Sequence, residues 1–307
     1  MSTTVYPGVN NSMSLVTKFL PYIDQQYKAE SKSAILDTAN EFVRFDGANA
    51  VKIFNISALG MGNYSRNGGF VPGDIAGTWQ SYTLSIDRGR SYQLDVLDND
   101  EELGLPLGNL LASVEREHII PEVDAVRFAA YATGAASANK ATESLSTGAG
   151  VISAIDTATI ALDNGEVPFE GRILFVSPKV YNLLKGGITR MVMNDDPNVN
   201  NVIEMYNDMR VIRVPQARFY TAITLATPSD NDDAGDYTPN GNGINFMIVH
   251  PSACLQVMKH YTARLFSPQQ NQQADAWLVQ PRFAHGAWVL EHKKNGIYVS
   301  SDSTISG

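Results

Sequence analysis

The sequence predicts an α+β fold. Three patterns carry that expectation. Apolar and polar residues alternate at period two over 51–96 and again over 261–299. A helical repeat runs through 99–133, and two strand-like runs end in Ser177-Pro178 and His250-Pro251.

Composition bounds the reading. The 307 residues are 44% apolar and 18% charged, enough for a sizeable core and too apolar for a disordered chain. No run approaches the ~18 uninterrupted apolar residues that a spanning helix needs, so no membrane partner is expected. Met1-Ser2-Thr3-Thr4 lacks a basic stretch leading into an apolar one, and no signal peptide is visible. Cys254 is the only cysteine, which excludes an intramolecular disulfide and a multi-cysteine zinc site. Its neighbours Ala253 and Leu255 point to a small buried hydrophobe. Synthesis in a reducing cytosol is expected. The net charge of −9, from 32 acids against 23 bases, is the wrong sign for a dedicated nucleic-acid binder.

Residues 1–50 hold little core signal. A short amphipathic stretch, Leu20 to Tyr27, is interrupted at its start by Pro21, and the segment reads as an extended arm with one short helix. In 51–96, Val51, Ile53, Tyr82, Leu84, Ile86, Tyr92, Leu94 and Val96 read as strand positions around the excursion Gly60 to Asp74. Its glycines supply turns, but its apolar content cannot close a core alone. A hairpin of this length with an aromatic tip needs a partner surface. Tyr64, Arg66 and Phe70 are the residues expected to meet it.

Over 99–133, Leu107, Leu110, Leu111, Val114 and His118 fall at helical spacing, behind the acids Asp98, Asp100, Glu101 and Glu102 that suit a helix start. Pro121 is expected to kink or split the helix, because it has no N–H to give and its ring meets the preceding turn. The pattern resumes at Val123, Val126 and Ala130. Residues 134–147 are small and polar and read as a linker. Val151 to Leu162 mark a helix closed near Gly165, and Arg172 to Val176 a buried strand. Ser177-Pro178 supplies an N-cap with proline at the first helical position, and Gly186-Gly187 ends that helix. The same grammar is read at Ile244 to Val249, His250-Pro251-Ser252 and Ala253 to Val257, as a second strand–turn–helix unit. Asp230 to Asn242 reads as a polar loop, and the chain then returns to strands through Trp277, Val279, Phe283, Trp288, Leu290, Ile297 and Val299.

Catalytic and metal-binding signatures fail one by one. Asp230 to Asp236 resembles the start of a calcium loop but puts Ala234 at a ligand position and Gly241 where the bidentate glutamate belongs. Glu115-x-x-His118 has di-iron spacing, yet such sites need two such motifs and two further carboxylates. His118 reads instead as a hydrogen-bonded structural histidine beside Glu115 and Glu122. Gly60-x-Gly62 has Ser65 where a dinucleotide fingerprint needs its third glycine. Cys254 could be a nucleophile only with a base such as His250, and an inert buried thiol is the simpler reading. With five histidines and no cluster, no histidine-driven acid switch in assembly is expected.

The string Gly60-Met61-Gly62-Asn63-Tyr64-Ser65-Arg66-Asn67-Gly68-Gly69-Phe70-Val71-Pro72-Gly73-Asp74, with Thr78-Trp79 and Asp87-Arg88-Gly89-Arg90 downstream, resembles the major capsid proteins of tailed bacteriophages with the Hong Kong 97-like fold. So do Gly171 to Pro178, Ile244 to Ser252 and Ala274-Asp275-Ala276-Trp277, and the resemblance runs from about residue 20 to residue 299. It implies an N-terminal arm at 1–50, an extension-loop β-hairpin at 51–96, and a peripheral domain at 97–136 and 261–307 with a long spine helix. An axial α/β domain at 137–260 completes the set. It further implies homo-hexamers and homo-pentamers tiling an icosahedral shell around packaged double-stranded DNA, without sequence-specific binding. The implied location is the virion capsid, after synthesis and assembly in the bacterial host cytoplasm. A portal protein is an implied partner, as are scaffolding and decoration proteins in some members. No catalytic residue, cofactor or metal is implied.

Some members of this family cross-link subunits through an extension-loop lysine. Here the nearest lysine is Lys52, at the hairpin base, and the tip offers only Arg66, a poor nucleophile. A shell held by non-covalent contacts is therefore expected. Two other classes remain open at this point. An encapsulin-like nanocompartment shares the fold and would enclose enzymes, and an unrelated α/β ligand binder would be a monomer with one deep apolar pocket.

Overall fold

The computed structural model describes residues 31–37, 44–46, 50–96, 114–188, 203–227, 235–272 and 274–303. The expected arm helix Leu20 to Tyr27, the helical positions 107–111 and the calcium-like residues 230–234 lie outside them. After a 3-10 turn at Ala34–Leu36 come β1 (Arg44–Asp46), β2 (Ala50–Ala58), β3 (Ile75–Thr83), β4 (Ile86–Gly89) and β5 (Tyr92–Asp95). A π turn, Glu115–Ile119, runs into α1 (Ile120–Gly134) and is followed by β6 (Lys140–Thr142), α2 (Gly148–Asn164), β7 (Ile173–Val176) and α3 (Pro178–Gly187). Then come β8 (Met205–Tyr206), β9 (Met209–Arg213), β10 (Ile223–Leu225), β11 (Tyr237–Pro239) and β12 (Ile244–Val249). The long strands β13 (Cys254–Phe266) and β14 (Ala276–Val289), with β15 (Ile297–Ser301), close the chain.

The centre is a six-stranded mixed sheet in the order β6-β15-β12-β7-β9-β8. Every residue of β7, β12 and β15 is buried, which is why Ile173–Val176 and Phe246–Val249 read as continuous apolar runs without alternation, while the buried polar residues Asn245 and Ser300 are hydrogen-bonded to Glu143. One face, with Phe175, Met247, Val249 and Val299, packs on Phe128 and Tyr131 of α1. The other, with Leu174, Val176, Phe246 and Ile248, packs on Val151, Ile155 and Leu162 of α2 and Val180 and Leu184 of α3. The Ser177 side chain accepts from Val180 N–H at the start of α3, as its position before Pro178 predicts. At the other end of that helix Gly187 meets Gly148, and a Cβ on Gly187 would lie 2.7 Å from the Gly148 backbone, so the helices approach to backbone contact.

Two expectations are corrected, and a third is narrowed. Pro121 leaves the helix unsplit, one of the two outcomes expected there. The turn before it is π-wound, with Ile120 N–H bonded to Glu115 O, so the extra residue absorbs the bond and the space that proline removes. Residues 134–147 are not a linker: Lys140–Thr142 pairs in parallel with Val299–Ser301 as a sheet edge. Small polar side chains hid this, because the segment is held by backbone pairing and by Asn139 Nδ2, which donates to Asn295 O and Ile297 O at 3.0 and 3.2 Å. The second unit is not strand–turn–helix. Pro251–Ala253 is one 3-10 turn, and Cys254 starts a strand paired with β14 from Cys254↔Val289 to Phe266↔Leu278. A five-residue apolar window fits either structure, and the partner strand decides.

Helix α1 is buried on nearly every side, charged residues included. Each buried charge therefore needs a partner. Glu122 receives a bidentate pair from Arg88 of β4 at 2.9 and 3.1 Å; burial pushes its carboxyl above the ordinary range and Arg88 opposes that rise. Arg88 also donates to Ala226 O and Asp236 O, which ties β4 and α1 to the β10–β11 hairpin. His118 is hydrogen-bonded as expected, but its partner is the Asp236 carboxylate at 2.8 Å, not a glutamate on its own helix.

Candidate assembly surface

The β2–β3 hairpin is antiparallel from Ala50↔Thr83 to Ala58↔Ile75. Because side chains alternate across a strand, this register sorts the stem into two faces. Val51, Ile53, Asn55, Gln80 and Tyr82 share one. At its root Val51 and Tyr82 are buried with Leu255 and Val257 of β13, and Tyr82 lies 5.6 Å from the Trp288 ring. Further out Asn55 Nδ2 donates to Gln80 Oε1 at 2.8 Å, and Gln80 Nε2 donates to Glu291 at 3.3 Å. The root of this face, out to Gln80, lies on the body, whereas Ser57, Ala76 and Thr78 further out are exposed.

The opposite face carries Phe54, Ile56, Ile75 and Trp79, which are 46%, 65%, 72% and 58% exposed. Phe54 and Trp79 are cross-strand partners with rings 5.0 Å apart, and Phe54 lies over Gly77, where a Cβ would come within 2.5 Å of its ring. At the tip, Ser65 and Gly69 exchange backbone hydrogen bonds around Arg66-Asn67-Gly68, with Gly69 at φ 77°. Tyr64 and Phe70 flank this turn with ring centroids 4.9 Å apart and are 61% and 86% exposed. Structure thus brings two of the three expected contact residues together, with exposed Arg66 in the turn between them. The stem face escaped sequence reasoning. Its signal was present: Phe54 and Ile56 fill positions that a half-buried strand gives to polar residues.

No comparable cluster of chemistry exists elsewhere among the described residues. No three His, Cys, Asp or Glu side chains converge on a metal position. Cys254 is buried with its thiol pushed far up by desolvation, and His250 uses Nδ1 to cap Ser252. Among the described residues no helix is long and apolar enough to cross a membrane. A groove of about 520 Å³ runs between α1, β10 and β14, lined by residues such as Val126, Ala130, Thr133, Leu225 and Trp288. It is open to solvent, and no charged residue lines it.

No protein-family model matches the sequence, and no curated protein is similar to it. Solved structures are similar in fold. A chain of the cyanophage P-SCSP1u capsid aligns with TM-score 0.59 at 11% identity, covering 84% of each chain. A chain from the asymmetric unit of the bacteriophage PhiM1 mature capsid aligns with TM-score 0.58 at 13% identity, over 83% of this chain and 82% of that one. A structure from Mycobacterium phage Che8 aligns with TM-score 0.58 at 17% identity, over 88% and 91%. The virus-like particle from Pyrococcus furiosus aligns less well, with TM-score 0.50 at 12% identity over 95% and 100%. The chain therefore has the α+β Hong Kong 97-like phage capsid fold.

Proposed function

We propose that the chain is a major capsid protein of a tailed bacteriophage, a structural subunit whose copies assemble into the hexamers and pentamers of an icosahedral shell. The observation that carries this reading is the outward apolar face of the hairpin. Phe54, Ile56, Ile75 and Trp79 continue into Tyr64 and Phe70 at the tip of a stem whose other face is on the body at its root. Among the described residues the stem beyond Lys52 is two-stranded, a structure marginal by itself in water. A second copy would bury it. The capsid fold supplies the setting in which many copies meet.

In this reading Tyr64, Arg66 and Phe70, with the four stem residues, contact a neighbouring subunit. The hairpin 51–96 is the extension loop, α1 the spine helix of the peripheral domain, and the six-stranded sheet the heart of the axial domain. Strand β13 crosses the proposed boundary at residue 260 unbroken, so the two domains share it. Portal protein and packaged DNA are the further partners, and the virion the location. The better superposition on the phage capsids than on the virus-like particle favours a phage shell over a nanocompartment. Negative-stain microscopy of the purified chain tests the proposal: closed particles or capsomer rings are expected. A chain that stays monomeric at all accessible concentrations overturns it.

The contacts are expected to be non-covalent. Lys52 lies six residues inside the open end of the stem at Ala58, far in sequence from the tip turn at Arg66. Denaturing electrophoresis of mature particles should show one band near 33.4 kDa. A ladder that survives boiling and reductant would refute this.

A further inference from the structure

Residues 31–37 lie across α1, and the groups that hold them there are themselves buried. Asp124, 0% exposed, accepts from Ser31 Oγ at 2.5 Å, Ser33 Oγ at 2.6 Å, Lys32 N–H at 2.9 Å and Ser33 N–H at 3.2 Å. One turn further along the helix, Arg127 donates from Nη1 to Ser33 Oγ at 2.9 Å and pairs through Nη2 with Asp37 at 3.4 Å. From β13, Gln256 Nε2 donates to Ser33 O at 3.3 Å. The body itself offers Asp124 the Arg218 Nη1 at 3.3 Å.

The apolar share of this attachment rests on one side chain. Leu36 is buried beside Phe128 and Tyr131, whereas Ile35 and Asp37 are exposed. The polar share converges on one serine: Ser33 Oγ gives to Asp124 and receives from Arg127, and its backbone N–H and C=O are also taken. Such bonds are directional and fail together when Ser33 moves. Once the segment lifts, water can reach Asp124 and Arg127 and solvate both, so opening does not require the central sheet to separate.

We propose that residues 31–37 are a strap that closes on Asp124 and Arg127 and opens as a unit. One polar lock then holds these residues to the body or releases them. This holds whether or not the chain forms a shell.

Trypsin reads the lock directly, because Lys32 lies within it. Treating the unassembled full-length chain under native conditions and following the Lys32–Ser33 bond by mass spectrometry, we expect slow cleavage in the wild type. Asp124→Asn should speed cleavage there about tenfold, since a carboxamide puts an N–H₂ group where donors converge. Hydrogen exchange in β7 and β12 should stay unchanged. Ser33→Ala, which removes only the shared hydroxyl, should speed cleavage about threefold and decides the matter if Asp124→Asn does not fold. Unchanged cleavage, or cleavage that rises only in step with exchange in β7 and β12, overturns the proposal.

Discussion

Removing residues 62–72 should leave a folded chain that makes no normal shells. The stem ladder ends at Ala58↔Ile75, so the deletion leaves Leu59, Gly60, Met61, Gly73 and Asp74 as a five-residue loop, within the usual span of hairpin loops. The removed residues include Tyr64 and Phe70, which touch each other at 4.9 Å and are largely exposed, so the thermal midpoint of the isolated chain should hardly move. Assembly should be lost, because a buried aromatic anchor at an interface contributes roughly 2 kcal/mol or more and each neighbour contact would lose two. Exchanging Phe54 and Trp79 for serine should act in the same direction through the stem, with the tip intact. Normal particles from the deletion, seen by electron microscopy, would remove the hairpin from the assembly contacts.

Acid should destabilise the folded chain through His285. This side chain sits on β14 with 0% exposure, its ring stacked on Phe283 at 5.7 Å, and neither ring nitrogen has a hydrogen-bond partner among the described residues. Burial, and then the guanidiniums of Arg127 and Arg88, push its pKa down to about 3 from an ordinary 6.5. The folded state thus keeps the imidazole neutral while the unfolded chain protonates it. A depressed histidine contributes full stability above 6.5, and that stability drains away as pH falls toward 3. One proton changes stability by about 1.4 kcal/mol per pH unit well below 6.5, and the unfolded ring is half protonated at 6.5, so the loss between pH 6.5 and 4.5 is about 2 kcal/mol. His285→Leu should flatten the pH dependence by that slope and leave the chain folded at neutral pH. Denaturant melts of the two chains from pH 7 to 4.5 are the measurement, and parallel curves would show that His285 is not the titrating group. His118 differs in place: its ring bonds the Asp236 carboxylate at 2.8 Å, and both side chains are about half exposed.

What could be read without coordinates is what neighbours in sequence decide. Ile173 to Val176 and Ile244 to Val249 announce buried strands because their partners on both faces demand apolar side chains at every position but Asn245. Ser177-Pro178 announces a helix start because cap and helix lie within three residues of each other. The hairpin and its turn-rich tip were legible for the same reason. Other features depend on pairings across long stretches of chain. Whether Cys254 begins a helix or a strand is settled by Val289, and which face of the hairpin looks outward is settled by Gln80 meeting Glu291. The place of His118 depends on Asp236, and the burial of Asp124 on Ser31 to Ser33, 91 to 93 residues earlier. A charged residue on a helix reads as a solvated face until the tertiary structure covers it. Covering it costs several kcal/mol unless donors arrive, so the partners that make Asp124 and Glu122 tolerable in the core belong to the fold alone.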